Sequence, residues 1–158
     1  MNLTLKNNLG FNWFENNTLF FKGYFYVNDH FYEKEDALNY LLNIKTVANF
    51  KAELNVINGV FSFIISLEDT ICIASDITRS FPLFYTIQKG KLFLSDDILH
   101  LKKQFTIDDF DKISEIELKA SNHTHGKKTL LKNVFQVQAS EYLIINNDEV
   151  TAHNFFFS

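Results

Sequence analysis

Apolar and polar residues alternate along most of the chain, and where the alternation lapses the apolar runs stay short. Phe11 to Phe14 and Leu19 to Val27 flank Asn16-Asn17, and Val60 to Leu67 and Ile71 to Ser75 flank Glu68-Asp69. Leu83 to Ile87 and Lys91 to Leu94 flank Lys89-Gly90, and Tyr142 to Ile145 and Val150 to Phe155 flank Asn146-Asn147-Asp148. Paired segments of this kind predict hairpins, because Asn, Asp and Gly accept the left-handed backbone that tight turns require. Four hairpins predict a mainly antiparallel sheet system.

Helical periodicity is rarer. Glu33 to Leu42 places Ala37, Leu38, Leu41 and Leu42 on one face, the stripe of a helix packed on a core. Ser95-Asp96-Asp97 predicts a helix start running to about Lys103, since carboxylates accept from the free N–H groups and oppose the positive dipole end. Asp108-Asp109 predicts a similar start for a helix ending near Leu118, and residues 120–128, with Ser, Asn, Thr and Gly, read as a loop. No repeat, low-complexity tract or linker divides the chain. The expectation is a single α+β domain over residues 1–158, with antiparallel sheets covered by helices.

At 158 residues the chain can bury about two-thirds of its unfolded surface without disulfides. Cys72 is the single cysteine and no structural-zinc spacing occurs, which suits a reducing compartment. The N-terminal residues alternate without a charged start and apolar run, so a cytoplasmic, membrane-free location is expected. A net charge of −4 with scattered lysines lacks the basic stripe that nucleic acid requires. The 18 phenylalanines fall mostly in strand patterns such as FSFII, where packing accounts for them.

Among residues that could carry chemistry, Cys72 sits in Ile-Cys-Ile-Ala-Ser and reads as a small buried hydrophobe. His123 and His125, with His100, have ligand chemistry suited to zinc or nickel, but spacing fixes no third ligand and no metal is expected. Helix capping accounts for Asp96, Asp97, Asp108, Asp109 and Asp111. The sequons at Asn2, Asn16 and Asn122 matter only in a secreted chain. One stretch stands out: SDITRSFPLFYT, Ser75 to Thr86, holds the only arginine and the only proline.

Taken in order, several local signals resemble the N-terminal glutaminase domain of the asparagine synthetase family, the class II glutamine amidotransferases. Phe21-Lys22-Gly23-Tyr24-Phe25-Tyr26 is similar to Phe-Asn-Gly-x-Ile-Tyr, and Leu54 to Phe63 contains a likeness to Leu-x-Gly-x-Phe-Ala-Phe. The stretch Ser75 to Thr86 is similar to Arg-Asp-x-x-Gly-x-x-Pro-Leu-Tyr-Tyr. Gly90 to Asp96 resembles Gly-x-Leu-x-Phe-Ala-Ser-Glu, and Thr129 to Val134 with Ala139-Ser140 continues the series. The resemblance implies an Ntn-hydrolase fold, an αββα sandwich of stacked antiparallel sheets.

The same resemblance implies a catalytically degenerate domain. The family uses an N-terminal cysteine as nucleophile, an asparagine side chain with a glycine N–H for the oxyanion, and a mid-domain arginine for the substrate carboxylate. Here Asn2 stands at the nucleophile position, Lys22 replaces the oxyanion asparagine beside Gly23, and no arginine precedes Arg79. The implied role is a scaffold, in cis or in trans, for an ATP-dependent amide-forming synthetase of the β-lactam synthetase or lasso-peptide cyclase type. ATP and Mg would belong to that synthetase, with no cofactor in this chain, and a homodimer is a further partner expectation. Phe155-Phe156-Phe157-Ser158 falls about where the family's first domain ends in an aromatic cluster. Two alternatives are an Ntn amidohydrolase with Thr4 exposed by processing, and an amino-acid-binding module. Asp76, Arg79 and Asp96 are interaction or turn candidates. Arg79 stands where the family has glycine, so a turn reshaped to avoid positive φ is expected, with Arg79 paired to Asp76 or exposed.

Overall fold

The computed structural model describes residues 2–6 and 10–155, so Phe156 to Ser158 of the aromatic tail lie outside the described residues. In chain order the elements are β1 (Asn2–Thr4), β2 (Phe14–Glu15), β3 (Leu19–Val27), β4 (His30–Glu33), α1 (Lys34–Leu41), α2 (Val47–Glu53), β5 (Asn58–Leu67) and β6 (Thr70–Ser75). There follow β7 (Phe84–Gln88), β8 (Lys91–Ser95), α3 (Ile98–Phe105), α4 (Lys112–Ser121), β9 (Val134–Gln136), β10 (Glu141–Asn146) and β11 (Glu149–Asn154). They fall into two compact units, one of residues 1–7 with 82–138 and one of residues 8–81 with 139–158.

The second unit is built on a sheet of order β11-β10-β6-β5-β3-β2, with β4 paired to β3. Alternation along the central strands explains its core. Phe21 and Phe25 of β3, Phe61, Phe63 and Ile65 of β5, and Cys72 and Ala74 of β6 point to one face. There they meet Ala37, Leu38 and Leu41 of α1 and Phe50 of α2. Tyr40 on α1 donates its hydroxyl to Glu53 on α2 at 2.9 Å, and burial together with that bond pushes its pKa up to about 12. The opposite face is also withdrawn from solvent, with Ile64, Ile73, Leu143 and Ile145 all buried.

The first unit carries a four-stranded sheet of order β1-β8-β7-β9. Its pairings are antiparallel except β1 with β8, which run parallel from Asn2 opposite Phe93 to Thr4 opposite Ser95. Leu101 of α3 packs with Leu131 and Val134, bordered by Phe84, Phe93 and Phe105.

Three predicted hairpins close through left-handed residues: Glu68, the Lys89-Gly90 pair and the Asn147-Asp148 pair all have positive φ. The first hairpin forms differently. Its β2 arm holds only Phe14 and Glu15, and Asn16 acts as an acceptor, its Oδ1 taking the N–H groups of Thr18 (3.0 Å) and Leu19 (2.9 Å). Strand β4 joins β3 across Asn28-Asp29, both at positive φ, where the sequence reading placed no hairpin. Helix α2 was also unexpected; Thr46 caps it by accepting from Asn49 N–H at 3.1 Å.

The expected start of α3 is found and that of α4 needs correction. Asp97 of the Ser95-Asp96-Asp97 group caps α3, which runs two residues beyond Lys103 to Phe105. Helix α4 begins after Asp111, not after Asp108-Asp109, and continues past Leu118 to Ser121. Asp111 accepts from Ser114 N–H at 2.9 Å, and that bond holds its carboxyl below the usual range. Asp108 and Asp109 instead pair loosely with Lys102 and Lys132, each at 3.9 Å.

Candidate functional site

On β3 the face opposite the core is read as every second residue, and it presents Lys22, Tyr24 and Tyr26. Lys22 stands directly opposite Ser62 on β5, and Ser62 directly opposite Ser75 on β6, so three polar residues form one row across the sheet. All three are buried, with Lys22 only 3% exposed. The Lys22 ammonium lies 5.7 Å from the centre of the Trp13 ring and 5.3 Å from that of Phe81. Ring faces stabilise a desolvated cation by about 2 kcal/mol and so contribute to holding the lysine inside. Ser62 Oγ donates to the Phe81 carbonyl at 2.7 Å and fixes the segment that carries one of the two rings. Ser75 Oγ is buried without a hydrogen-bond partner among the described residues.

Gly23 follows Lys22 with φ +112°, a region open to glycine alone. A Cβ there would run into the Val60 carbonyl oxygen and lie 2.8 Å from Phe81 Cε2. Sequence reasoning singled out Lys22 and Gly23 but missed Trp13 and Phe81. The available signal was a lysine in the middle of an apolar strand, which demands a partner for its charge.

Asp76 directly follows the row's third strand and is fully buried. Its Oδ2 accepts from Phe61 N–H at 3.0 Å and from Ser80 N–H at 3.2 Å, and its Oδ1 accepts from Thr78 N–H and Thr78 Oγ, both at 2.7 Å. Its carbonyl accepts from Arg79 N–H at 3.1 Å and Ser140 N–H at 3.0 Å. Asp76 is therefore a structural knot. The turn it holds keeps the backbone of a glycine: Arg79 has φ +54°, so the expected reshaping does not occur. Nor does the arginine pair with Asp76 or project freely. It is half-buried and makes no ion pair among the described residues. Left-handed backbone penalises a non-glycine residue by about 1 kcal/mol, less than the carboxylate's several bonds return. Arg79→Gly is expected to raise the unfolding free energy by up to about 1 kcal/mol in urea titration, and a loss of stability would sink this account of the turn.

Pro82 lies just ahead of β7, which begins at Phe84 rather than at the proline, and Val137 N–H donating to Leu83 O extends the ladder alongside it.

Asn2 and Thr4 belong to the first unit, on β1, and Lys22 and Gly23 to the second. Asp96 is buried and its Oδ1 accepts from Lys6 N–H at 2.7 Å, tying the chain after β1 to the end of β8. His100 Nδ1 lies 2.9 Å from Lys6 Nζ, while the His123 and His125 rings lie 4.8 Å apart, tilted by 46°, beyond α4. His125 donates its backbone N–H to Glu117 at 3.0 Å. Among the described residues no group of three or more His, Cys, Asp or Glu side chains is placed to share a metal ion. Cys72 is buried, and burial pushes its thiol up to about 11, which keeps it protonated and unreactive near neutrality. No helix among the described residues is long and apolar enough to cross a membrane.

No family model matches the chain, and no curated protein matches it. Among solved structures it is similar to the glutamine phosphoribosylpyrophosphate amidotransferase of B. subtilis complexed with ADP and GMP, with TM-score 0.50 and 14% identity. That similarity covers 94% of this chain and 31% of the other. A structure of the allosteric regulatory enzyme of purine biosynthesis is similar at 14% identity and TM-score 0.49, over 93% of this chain and 31% of that one. The chain thus spans less than a third of the length of either protein. The first likeness shows the fold alone, an α+β arrangement of sheets and helices matching the Ntn-hydrolase fold of that amidotransferase.

Proposed function

We propose that this glutamine amidotransferase-like domain of the Ntn type does not hydrolyse glutamine and serves as the scaffold for an ATP-dependent, amide-forming synthetase related to asparagine synthetases. The observation that carries the reading is Lys22. At the position that resembles the family's oxyanion asparagine stands a buried lysine whose side-chain nitrogen lies over two aromatic rings. An asparagine amide there would offer an N–H to a developing oxyanion while leaving the site neutral. A lysine held over Trp13 and Phe81 places a long cationic side chain where that neutral donor would stand. Asn2 supports the same reading, since a carboxamide has neither an acidic proton nor a nucleophilic sulfur.

Ammonia release from glutamine is the direct test. The purified chain is expected to give none above a no-protein blank, and sustained turnover would overturn the proposal. The Thr4 alternative makes a different prediction. Thr4 is the last residue of β1, paired with Ser95, and cleavage after Leu3 would remove the rest of that strand. Intact mass spectrometry is expected to find a chain beginning at Met1 or Asn2. A chain beginning at Thr4 would favour the hydrolase. For the scaffold role, co-expression with the adenylating domain continuous with or encoded beside this chain should give one co-eluting complex. No such domain, carrying Ser-Gly-Gly-x-Asp-Ser, in either place would remove the synthetase link.

A further inference from the structure

Helix α4 is inside out. The residue it buries is Ser114, whose hydroxyl has no partner among the described residues, while Ile113 and Ile116 are 59% and 66% exposed. Phe110, just before the helix, is 55% exposed, and Ala120 continues the isoleucine stripe four residues on. Helices normally turn such residues inward, and three large side chains this bare leave on the order of 350 Å² of apolar surface, the size of the largest patch on an ordinary monomer and one that is often functional.

The charges beside the stripe identify what covers it. With 100° per residue, Lys112 and Glu117 lie on opposite flanks, each about 70° from the line through Ile113 and Ile116. In heptad terms Ile113 and Ile116 take the two seam positions, Ala120 the next seam position, Lys112 and Lys119 one flank and Glu117 the other. We infer that α4 is the contact surface for a second copy of this chain, with the two helices parallel about a two-fold axis. In that orientation Lys112 of each copy falls beside Glu117 of the other, five residues further along, on both sides of the seam. An antiparallel pair would set lysine flank against lysine flank and glutamate against glutamate. Within its own chain Glu117 accepts from His125 N–H at one carboxylate oxygen, and its other oxygen lies 3.6 Å from His125 Nδ1, so a partner's lysine would share the carboxylate with that imidazole. Lys119 is already paired with Glu115 at 2.7 Å. Two faces of this size lie below the roughly 1,200 Å² of a stable complex, so the dimer is weak and reversible.

Sedimentation velocity from about micromolar to about millimolar concentration reads the association directly. The weight-average sedimentation coefficient is expected to climb toward that of a dimer. The Ile113→Glu/Ile116→Glu chain, with unchanged circular dichroism and melting temperature because both positions are exposed, is expected to stay monomeric throughout. Lys112→Glu and Glu117→Lys should each weaken association by about tenfold or more, and the chain carrying both should recover it, which only the parallel arrangement allows. A wild-type chain that stays monomeric, a double isoleucine variant that associates unchanged, or a swapped pair that fails to recover would each overturn the inference.

Discussion

Asp76→Ala is expected to lower the unfolding free energy by about 3–5 kcal/mol, enough to leave a small domain largely unfolded at modest denaturant. The reason is the number of donors that depend on one carboxylate. Phe61 N–H, Thr78 N–H, Thr78 Oγ and Ser80 N–H all end on its two oxygens. Removing the side chain leaves Phe61 N–H unmet inside the sheet, penalised by about 1–3 kcal/mol before any relaxation, and releases the bonds that order the turn at Thr78 and Ser80. Asp76→Asn distinguishes charge from geometry. Its single carbonyl oxygen can keep one half of the set, while its NH₂ points at donors in the other half, so a loss of about 2–3 kcal/mol is expected. Urea titration followed by far-ultraviolet circular dichroism checks both. An Asp76→Ala loss under 1 kcal/mol would show that the turn stands without its carboxylate.

Gly23→Ala is expected to be nearly as disruptive, by about 3 kcal/mol or more, for a reason of shape alone. The backbone at φ +112° excludes a side chain, and the added methyl would collide with the main chain of β5 at Val60 rather than with a flexible tip. Neighbouring strands would have to part where Gly23 stands opposite Phe61 in the middle of the β3–β5 ladder. Gly126→Ala is the control. It shares a positive φ of +63° but has nothing within 4 Å of its Cβ position, so only the conformational term of about 1 kcal/mol applies. Equal losses for the two variants would refute the steric account.

Hairpins whose turns combine Asn, Asp, Gly or Lys with strong flanking alternation were legible in the sequence, because turn chemistry and side-chain period agree there. The β3–β4 hairpin was not. Its Asn28-Asp29 turn carries the signal, but His30 to Glu33 is too short and too mixed to show alternation and merges with the helix that follows. Helix α2 escaped because Phe50 is its one buried residue and a single buried position in seven residues sets no period. The parallel pairing of β1 with β8 joins residues about ninety positions apart, which no local pattern announces. The same applies to Lys22: its burial could be anticipated from the strand around it, but Trp13 and Phe81 are brought to it by the turn before β3 and the segment after β6. At Arg79 the local rule against left-handed arginine was sound but smaller in magnitude than the network centred on Asp76.

The division of the chain into two units that each use separated segments also shapes how the protein can be made. The polypeptide passes from one unit to the other near residues 7, 81 and 138. Neither unit is thus a continuous stretch that trimming the ends could isolate. During synthesis β6 emerges with one edge unpaired, and β10, which covers that edge from Tyr142 opposite Ala74 to Asn146 opposite Thr70, arrives some seventy residues later. A ribosome adding about 5–20 residues per second leaves that edge open for several seconds, a window in which pairing with another nascent chain competes with completion of the sheet.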